Sequence, residues 1–246
     1  VDRPSVNWGK MLSYKDTMIK DNTKGIEYLF KKNKITLING WASFVDNNTI
    51  SVNGKNFEAD HFVIASGSES TSLKDIKFDE QVIVSSTGAL ELKKIPEKMI
   101  VVGAGVIGLE MGSIYSRLGT EVTILEFYDK VLNGMDHDIS KNFKSILQKQ
   151  GFKFHLSSAV SAIAKEKKGV KVTFQTRESD EINDLSADVV LVATGRKPLT
   201  KGLNLESIGV ELNPKGHIET DSNWRTIAKN IFAIGDVTAG PILAHK

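Results

Sequence analysis

The sequence contains no cysteine among its 246 residues. Disulfide bonds and thiolate chemistry are therefore excluded within this chain. No apolar run approaches the roughly 18 residues that a membrane span needs. The formal net charge of +2 is too small to indicate a nucleic-acid or membrane partner. Repeats of solenoid length and low-complexity segments are also lacking, so composition favours an ordinary globular protein of one large domain or two smaller ones.

One stretch in the middle of the chain organises the rest. Residues 99–102 are an apolar run that predicts a buried parallel strand. Glycines then follow in G-x-G-x-x-G spacing, and residues 106–118 carry apolar side chains at helical spacing. Residues 121–125 predict a second strand that ends at Glu126. This order favours a dinucleotide-binding site over the alternative, a glycine-rich turn in an unrelated α/β protein.

Each position in the glycine fingerprint has a physical role. Gly103 permits the tight turn, Gly105 lets backbone approach a pyrophosphate, and Gly108 lets helix and strand pack closely. The helix N-terminus provides free N–H groups for the phosphates. Glu126 lies 23 positions after Gly103, close to the offset of about 20 expected for an acid that binds a ribose 2′-hydroxyl. Its charge would repel a 2′-phosphate, and residues 127–129 supply no arginine, so we predict NAD rather than NADP.

The remaining chain predicts alternating helices and short strands. Helices are expected over residues 11–32, 85–92 and 138–150, with a further helix beginning at 243–246. Strands are expected at residues 35–38, 41–45, 49–52, 56–59, 61–65, 82–84, 152–156, 160–165, 169–175, 181–185, 187–193, 216–220 and 230–234. Two helices are predicted to be amphipathic. Met11, Met18, Ile26, Leu29 and Phe30 could share one face of the first, and Ile139, Phe143, Ile146 and Leu147 are expected to face inward in the last.

Several long runs resemble one enzyme family, the flavoprotein pyridine nucleotide-disulfide oxidoreductases, and within it the lipoamide branch. These runs are SSTGALELKKIPEKMIVVGAGVIGLEMGS, ISKNFKSILQKQGFKF, ATGRKP and IFAIGDVTAGPILAHK. The resemblance implies an α/β fold with a Rossmann-like NAD-binding domain inserted in an incomplete FAD-binding domain, together with small antiparallel β-meanders. It implies a partial FAD-binding domain over residues 1–68 and an NAD-binding domain over 69–197. Residues 198–246 would be the return segment, truncated before a dimer-interface domain.

The resemblance also implies two sets of cofactor-binding residues. The NAD set is Gly103, Ala104, Gly105, Val106, Ile107, Gly108, Leu109, Glu110, Glu126, Val160 and Gly195. The FAD set is Ala42, Ser66, Gly67, Ser68, Asp236, Ile242, Leu243, Ala244 and His245. In the family, the counterpart of Glu110 supports catalysis by pairing with a lysine near the redox disulfide. A solvated carboxylate in the first helical turn is an equally weighted interpretation of Glu110.

The implied activity belongs to a longer enzyme. That enzyme would be a homodimer that oxidises dihydrolipoamide on a carrier domain of 2-oxo acid dehydrogenase complexes, through a disulfide and FAD, and reduces NAD+. It would lie in the mitochondrial matrix or the bacterial cytoplasm. This chain lacks the redox cysteines and the acid/base histidine segment, so alone it is expected to be inactive. The alternatives are a catalytically silent NAD-binding module and a related NADH-dependent flavoprotein disulfide reductase. The histidines have no metal-ligand spacing, and no metal is predicted.

Overall fold

The computed structural model describes residues 5–177, 179 and 181–243. The chain divides into two compact units. The first comprises Val1–Ile19 and Ser70–Gly195, and the second comprises Lys20–Glu69 and Arg196–Lys246. The second unit is thus assembled from two segments that are separated in sequence by most of the first.

Helices and strands alternate along the chain. The helices are α1 (Trp8–Lys32), α2 (Ser86–Ala89), α3 (Val106–Arg117) and α4 (His137–Lys149), and short 3₁₀ helices lie at Leu205–Ile208 and Gly235–Val237. The strands are β1 (Ala42–Asp46), β2 (Thr49–Val52), β3 (Lys55–Glu58), β4 (Phe62–Ile64), β5 (Ser68–Ser70), β6 (Ile83–Val84), β7 (Lys98–Val102), β8 (Glu121–Leu125), β9 (Lys153–His155), β10 (Ser158–Lys165), β11 (Val170–Thr176), β12 (Ile182–Ala187), β13 (Val189–Val192), β14 (Arg196–Pro198) and β15 (Ile231–Ala233). No helix in the described ranges is long and apolar enough to cross a membrane.

A five-stranded parallel sheet forms the centre of the first unit, in the order β6-β13-β7-β8-β9. α3 connects β7 to β8, and α4 connects β8 to β9, which gives two successive β-α-β units. Alternate residues of a strand point to opposite faces. Met99 and Val101 of β7 accordingly share one core with Tyr115 of α3. Ile100 and Val102 belong to a second core, which includes residues of the antiparallel sheet β10-β11-β12.

The sheet is covered on both faces, and its central strands show this in their sequence. All four residues of β13 are buried. Such an uninterrupted apolar run is typical of a parallel strand with packing on both sides. The carboxyl ends of β7, β8 and β13 lie at one edge of the sheet, which is where open α/β sheets bind ligands. The mixed α/β architecture with a parallel sheet and antiparallel meanders is the predicted fold class.

The second unit contains smaller sheets around its own core. β1, β2 and β3 form an antiparallel meander, and β4 pairs in parallel with β15. β5 pairs with β14. The apolar side chains of these segments meet in one cluster of buried residues: Phe44, Ile64, Leu203, Leu205, Ile208, Val210, Ile218, Ile231, Ala233 and Val237.

Two predicted strands do not form. Residues 35–38 are not in a strand, and no described segment pairs with them. The N–H of Ile35 instead donates to the carbonyl of Phe30, at the end of α1. The strand predicted at 216–220 is reduced to bridges at Ile218. Asn213 closes a turn just before it by accepting from the N–H groups of Lys215 and His217. The helix predicted at 243–246 lies largely outside the described residues.

The two predicted amphipathic helices form as α1 and α4, but few of their apolar side chains are buried. None of the described residues of α1 is buried, and Ile26 and Leu29 are 54% and 51% exposed. In α4, Leu147 is buried, whereas Ile139 and Ile146 are 57% and 50% exposed. The spacing of apolar residues correctly predicted both helices, but it did not identify which of their side chains are buried among the described residues. The prediction that Ile139 and Ile146 face inward is therefore wrong.

Candidate functional site

The turn between β7 and α3 depends on its first glycine. Gly103 has φ of +105°, a conformation that favours glycine. A Cβ atom at this position would lie 2.5 Å from the carbonyl oxygen of Ala193, which follows β13. The N–H of Gly103 donates to the carbonyl oxygen of Leu125 at the end of β8. A side chain is thus excluded by both conformation and space, and the turn stays close to the ends of both neighbouring strands.

The second and third glycines have opposite surroundings. A Cβ at Gly108 would lie 2.2 Å from the carbonyl oxygen of Gly103 and 3.0 Å from Val101. A Cβ at Gly105 would have nothing within 4 Å. Gly105 is the N-cap of α3 and has no side-chain cap hydrogen bond. Gly108 therefore allows helix and strand to pack, whereas Gly105 leaves open space at a helix N-terminus, where backbone N–H groups can receive an anion.

Glu126 is buried at the end of β8 and is held by backbone donors. Its side chain accepts from the N–H of Ala104 at 2.5 Å (Oε2) and from the N–H of Tyr128 at 2.9 Å (Oε1). The residue is only 8% exposed. These bonds fix the carboxylate beside the glycine turn. They also engage the N–H of Ala104, a residue predicted to contact the pyrophosphate.

A cleft of about 540 Å³ opens at this edge of the sheet. Its lining includes Gly103, Ala104, Gly105, Glu126, Val160 and Gly195, all of which are in the predicted NAD set. The other lining residues were not predicted: Leu73, Val102, Leu125, Phe127, Tyr128, Asn133, Gly134, Ser158, Ala159, Ala193 and Thr194. Most of them follow the carboxyl ends of β7, β8 and β13 or begin β10. The general rule for open sheets could have indicated them from the predicted strand ends.

The remaining residues of the predicted NAD set lie elsewhere. Val106, Leu109 and Glu110 line a second cavity of about 530 Å³, together with residues of α4. Glu110 is exposed there, on the first turns of α3. Ile107 is half-buried and packs against the core, and Gly108 is buried. The glycine fingerprint therefore contributes to two surfaces of the first unit.

The predicted FAD set lies in the second unit. Ala42 and Ser66 line a cavity of about 190 Å³. The Ser66 hydroxyl donates to the carbonyl of Leu199 at 2.7 Å. Gly67 has φ of +75°, and its carbonyl accepts from the N–H of Leu199. Ile242 and Leu243 are exposed, and Ala244 and His245 lie outside the described residues.

Asp236 belongs to a polar chain that the sequence did not predict. The hydroxyl of Ser68 donates to its Oδ2 at 2.7 Å. Arg196 in turn donates from Nε to the Ser68 hydroxyl at 2.7 Å and from a terminal nitrogen to the Ser68 carbonyl at 2.6 Å. Ser68 and Asp236 were both predicted to contact FAD, and in the structure they are hydrogen-bonded to each other. Among the described residues, no cluster of three or more His, Asp or Glu side chains could hold a metal.

Two adjacent aromatic residues after β8 line the cleft, and a cation from a distant part of the sequence lies over one of them. Phe127 and Tyr128 are in edge contact, with ring centroids 5.4 Å apart. The Arg177 guanidinium lies over the Phe127 ring, 4.8 Å from its centroid. Nearby, burial lowers the pKa of His155, whose ring is in edge contact with Phe174. This histidine is therefore more readily neutral than usual.

Comparison with known proteins identifies the sequence pattern. The family described as Pyridine nucleotide-disulphide oxidoreductase matches residues 4–246. Mitochondrial dihydrolipoyl dehydrogenase of Homo sapiens is 46% identical over 248 residues, which are 98% of this chain and 49% of that protein. Dihydrolipoyl dehydrogenase 1 of Arabidopsis thaliana, also mitochondrial, is 46% identical over 251 residues, which are 100% of this chain and 50% of that protein.

The fold has a solved counterpart as well. The Cu(II) complex of the flavoprotein disulfide reductase RclA from Escherichia coli superposes with a TM-score of 0.87 at 28% identity, covering 98% of this chain and 54% of that chain. The chain thus spans about half the length of the curated relatives it matches.

Proposed function

This chain belongs to the pyridine nucleotide-disulphide oxidoreductase family, and from that premise we propose that it forms part of a dihydrolipoyl dehydrogenase. It would provide the NAD-binding portion and some of the FAD-binding portion. The observation that carries this proposal is the cleft between Gly103 and Glu126. Open space at Gly105 adjoins a helix N-terminus, and a buried carboxylate is fixed beside it. The relatives at 46% identity support the assignment to the lipoamide branch.

In this proposal the cleft residues bind NAD. The start of α3 at Gly105 receives the pyrophosphate, because its first N–H groups have no partners within the helix. Glu126 accepts hydrogen bonds from the adenosine ribose hydroxyls and disfavours a 2′-phosphate by charge repulsion. Val160 and Gly195 line the same cleft, and we assign them to the adenine and the nicotinamide ends, respectively.

The second unit would hold part of the FAD. Asp236 accepts hydrogen bonds from the flavin ribityl group, and the loop that contains Ser66, Gly67 and Ser68 lines the nucleotide. Ala42 offers backbone to the flavin adenine. We assign Ile242, Leu243, Ala244 and His245 to the isoalloxazine end on the basis of the family resemblance alone.

The whole enzyme would oxidise dihydrolipoamide to lipoamide and reduce NAD+ to NADH with release of a proton. FAD and a redox disulfide supply the electron-transfer chemistry when they are present. This chain contains no cysteine, so it provides cofactor binding and no dithiol. Glu110 would support the flavin site only through a lysine supplied from outside this chain. The partners we propose for the whole enzyme are a second subunit and a lipoyl carrier domain, in the mitochondrial matrix or the bacterial cytoplasm.

A catalytically silent NAD-binding module is the alternative, and the absence of cysteine favours it for this chain alone. A related NADH-dependent flavoprotein disulfide reductase is a further alternative, which the likeness to RclA supports. Flavin absorbance in the visible spectrum distinguishes a chain that binds both FAD and NAD from one that binds NAD alone. A purified chain with flavin absorbance retains its FAD site, whereas a colourless chain that binds NADH is the silent module.

The test of the proposal combines binding with turnover. The purified chain is titrated with NADH by fluorescence, and NADH formation is measured separately with dihydrolipoamide and NAD+. We expect saturable NADH binding and no NADH formation, because the chain has no cysteine and hence no redox disulfide to accept electrons from the dithiol. Absence of NADH binding would contradict the assignment of the cleft, and NADH formation would contradict the assigned dependence on cysteine.

A further inference from the structure

A cation lies against an aromatic residue that lines the NAD cleft. The Arg177 guanidinium lies 4.8 Å from the centroid of the Phe127 ring, and Phe127 lines the cleft. Phe127 directly follows Glu126, the residue assigned to the adenosine ribose. Both charges are thus tied to the segment that follows β8: the Glu126 carboxylate lines the cleft and is held by backbone donors, and the Arg177 guanidinium lies over the ring of the next residue.

Backbone hydrogen bonds hold Arg177 at this place. Its N–H donates to the carbonyl of Ser157 at 2.7 Å, and the N–H of Ser157 donates to the carbonyl of Tyr128 at 2.9 Å. The N–H of Ser158 donates to the carbonyl of Glu126 at 2.8 Å. The turn between β9 and β10 thus joins the end of β11 to the segment after β8. These bonds fix the main chain at Arg177 close to the segment after β8, and the side chain reaches the Phe127 ring from there.

We propose that Arg177 is a specificity-determining residue for the cofactor, one that moderates the discrimination against a 2′-phosphate that Glu126 exerts. This inference rests on the proposed NAD-binding function. The carboxylate repels the phosphate, and the guanidinium attracts it. Direct contact is not required, because two charges that are closer together than the Debye length, about 10 Å at 0.1 M salt, still interact. NADH lacks the 2′-phosphate, so its affinity depends far less on this cation.

The proposal predicts a specific pattern of dissociation constants. Arg177→Ala raises the Kd for NADPH about threefold and the Kd for NADH less than about twofold, as expected for one exposed charge. Glu126→Gln removes the repulsion and lowers the Kd for NADPH. The double variant, Glu126→Gln with Arg177→Ala, loses part of that gain. The effect of Arg177→Ala on NADPH also shrinks as the salt concentration rises.

The chain offers a matched control. Arg225 lies over the Phe232 ring in the second unit, 5.5 Å from its centroid. Arg225→Ala removes the same kind of contact from a unit to which no NAD residue is assigned, and it is expected to leave both dissociation constants unchanged. Arg177→Lys keeps the positive charge and is expected to retain most of the NADPH affinity.

The experiment is calorimetric titration of the chain and these variants with NADH and NADPH at low and high salt. Selective weakening of NADPH binding in Arg177→Ala, restored by Arg177→Lys and suppressed by salt, supports the proposal. Equal changes for both nucleotides, or no change for either, would overturn this inference and leave the NAD site intact. A wild-type chain that binds neither nucleotide would overturn the inference together with the proposed function.

Discussion

Replacing Gly105 and Gly108 one at a time with alanine should separate binding from folding. The two glycines are three residues apart in one fingerprint, but the added methyl groups meet different surroundings. At Gly105 the new Cβ would have nothing within 4 Å, and the residue has φ of −76°, which alanine adopts readily. At Gly108 the new Cβ would lie 2.2 Å from the carbonyl oxygen of Gly103. Gly105→Ala fills open space that we assign to the pyrophosphate, and Gly108→Ala forces apart a packed helix and turn.

The magnitudes follow from these contacts. Overpacking of a close-packed site costs about 1–3 kcal/mol. At about 3 °C per kcal/mol for a protein of this size, Gly108→Ala should lower the Tm by about 6 °C. Gly105→Ala should change stability by less than about 0.5 kcal/mol, as an exposed substitution does. It should weaken NADH binding by about 10-fold to 150-fold, because losing one hydrogen bond to a charged group costs about 1.5–3 kcal/mol.

The assay is thermal unfolding of both variants followed by fluorescence titration with NADH. A Gly105→Ala chain with wild-type stability and wild-type NADH affinity would refute the placement of the pyrophosphate. A Gly108→Ala chain that unfolds at the wild-type temperature would refute the packing argument. Gly25→Ala is a useful control for binding, since this glycine has no neighbour within 4 Å of a new Cβ and lies in α1, outside the cleft.

Other residues give further predictions. Burial raises the pKa of Tyr115 to about 12, and its hydroxyl donates to the carbonyl of Ala89. Tyr115→Phe leaves this buried acceptor without its partner, so it should lower the free energy of unfolding, measured in urea, by about 1–3 kcal/mol. Burial alone would raise the pKa of Asp79, but the ion pair with Lys165 and three backbone N–H donors bring it below its usual value. The unfolded state then binds the proton more readily, so stability should fall as pH drops below about 4. Asp79→Asn should flatten that part of the pH profile, and an unchanged profile would contradict this assignment.

The first unit could be predicted from sequence in most of its elements because its signals are local. The strand before the fingerprint, the helix after it and the second strand each follow from residues within a few positions. The first helix shows what local patterns leave out. Its apolar spacing predicts a helix correctly, but the covering of its apolar side chains depends on segments distant in sequence.

Contacts in the candidate site show the same division. Glu126 could be identified from its offset to the glycines, whereas its bond to the N–H of Ala104 needed the three-dimensional register of β7 and β8. Because residues 127–129 include no arginine, the sequence predicted no positively charged side chain near the adenosine end of the site. Arg177 is placed beside Phe127 by a backbone hydrogen bond to the turn between β9 and β10. No local sequence pattern indicates this contact, because the two residues are far apart in the chain. The link from Arg196 through Ser68 to Asp236 likewise joins residues that are far apart in the chain.

Calorimetric titration of the purified chain with NADH and, in parallel, with NADPH at moderate salt tests the assignment of the dinucleotide site most directly. We predict saturable binding of NADH and clearly weaker binding of NADPH, with a preference that Glu126→Gln reduces. Equal affinity for both nucleotides would contradict the role of Glu126 as selector. Binding of neither would contradict the central claim that residues 103–126 form a working dinucleotide site in this chain.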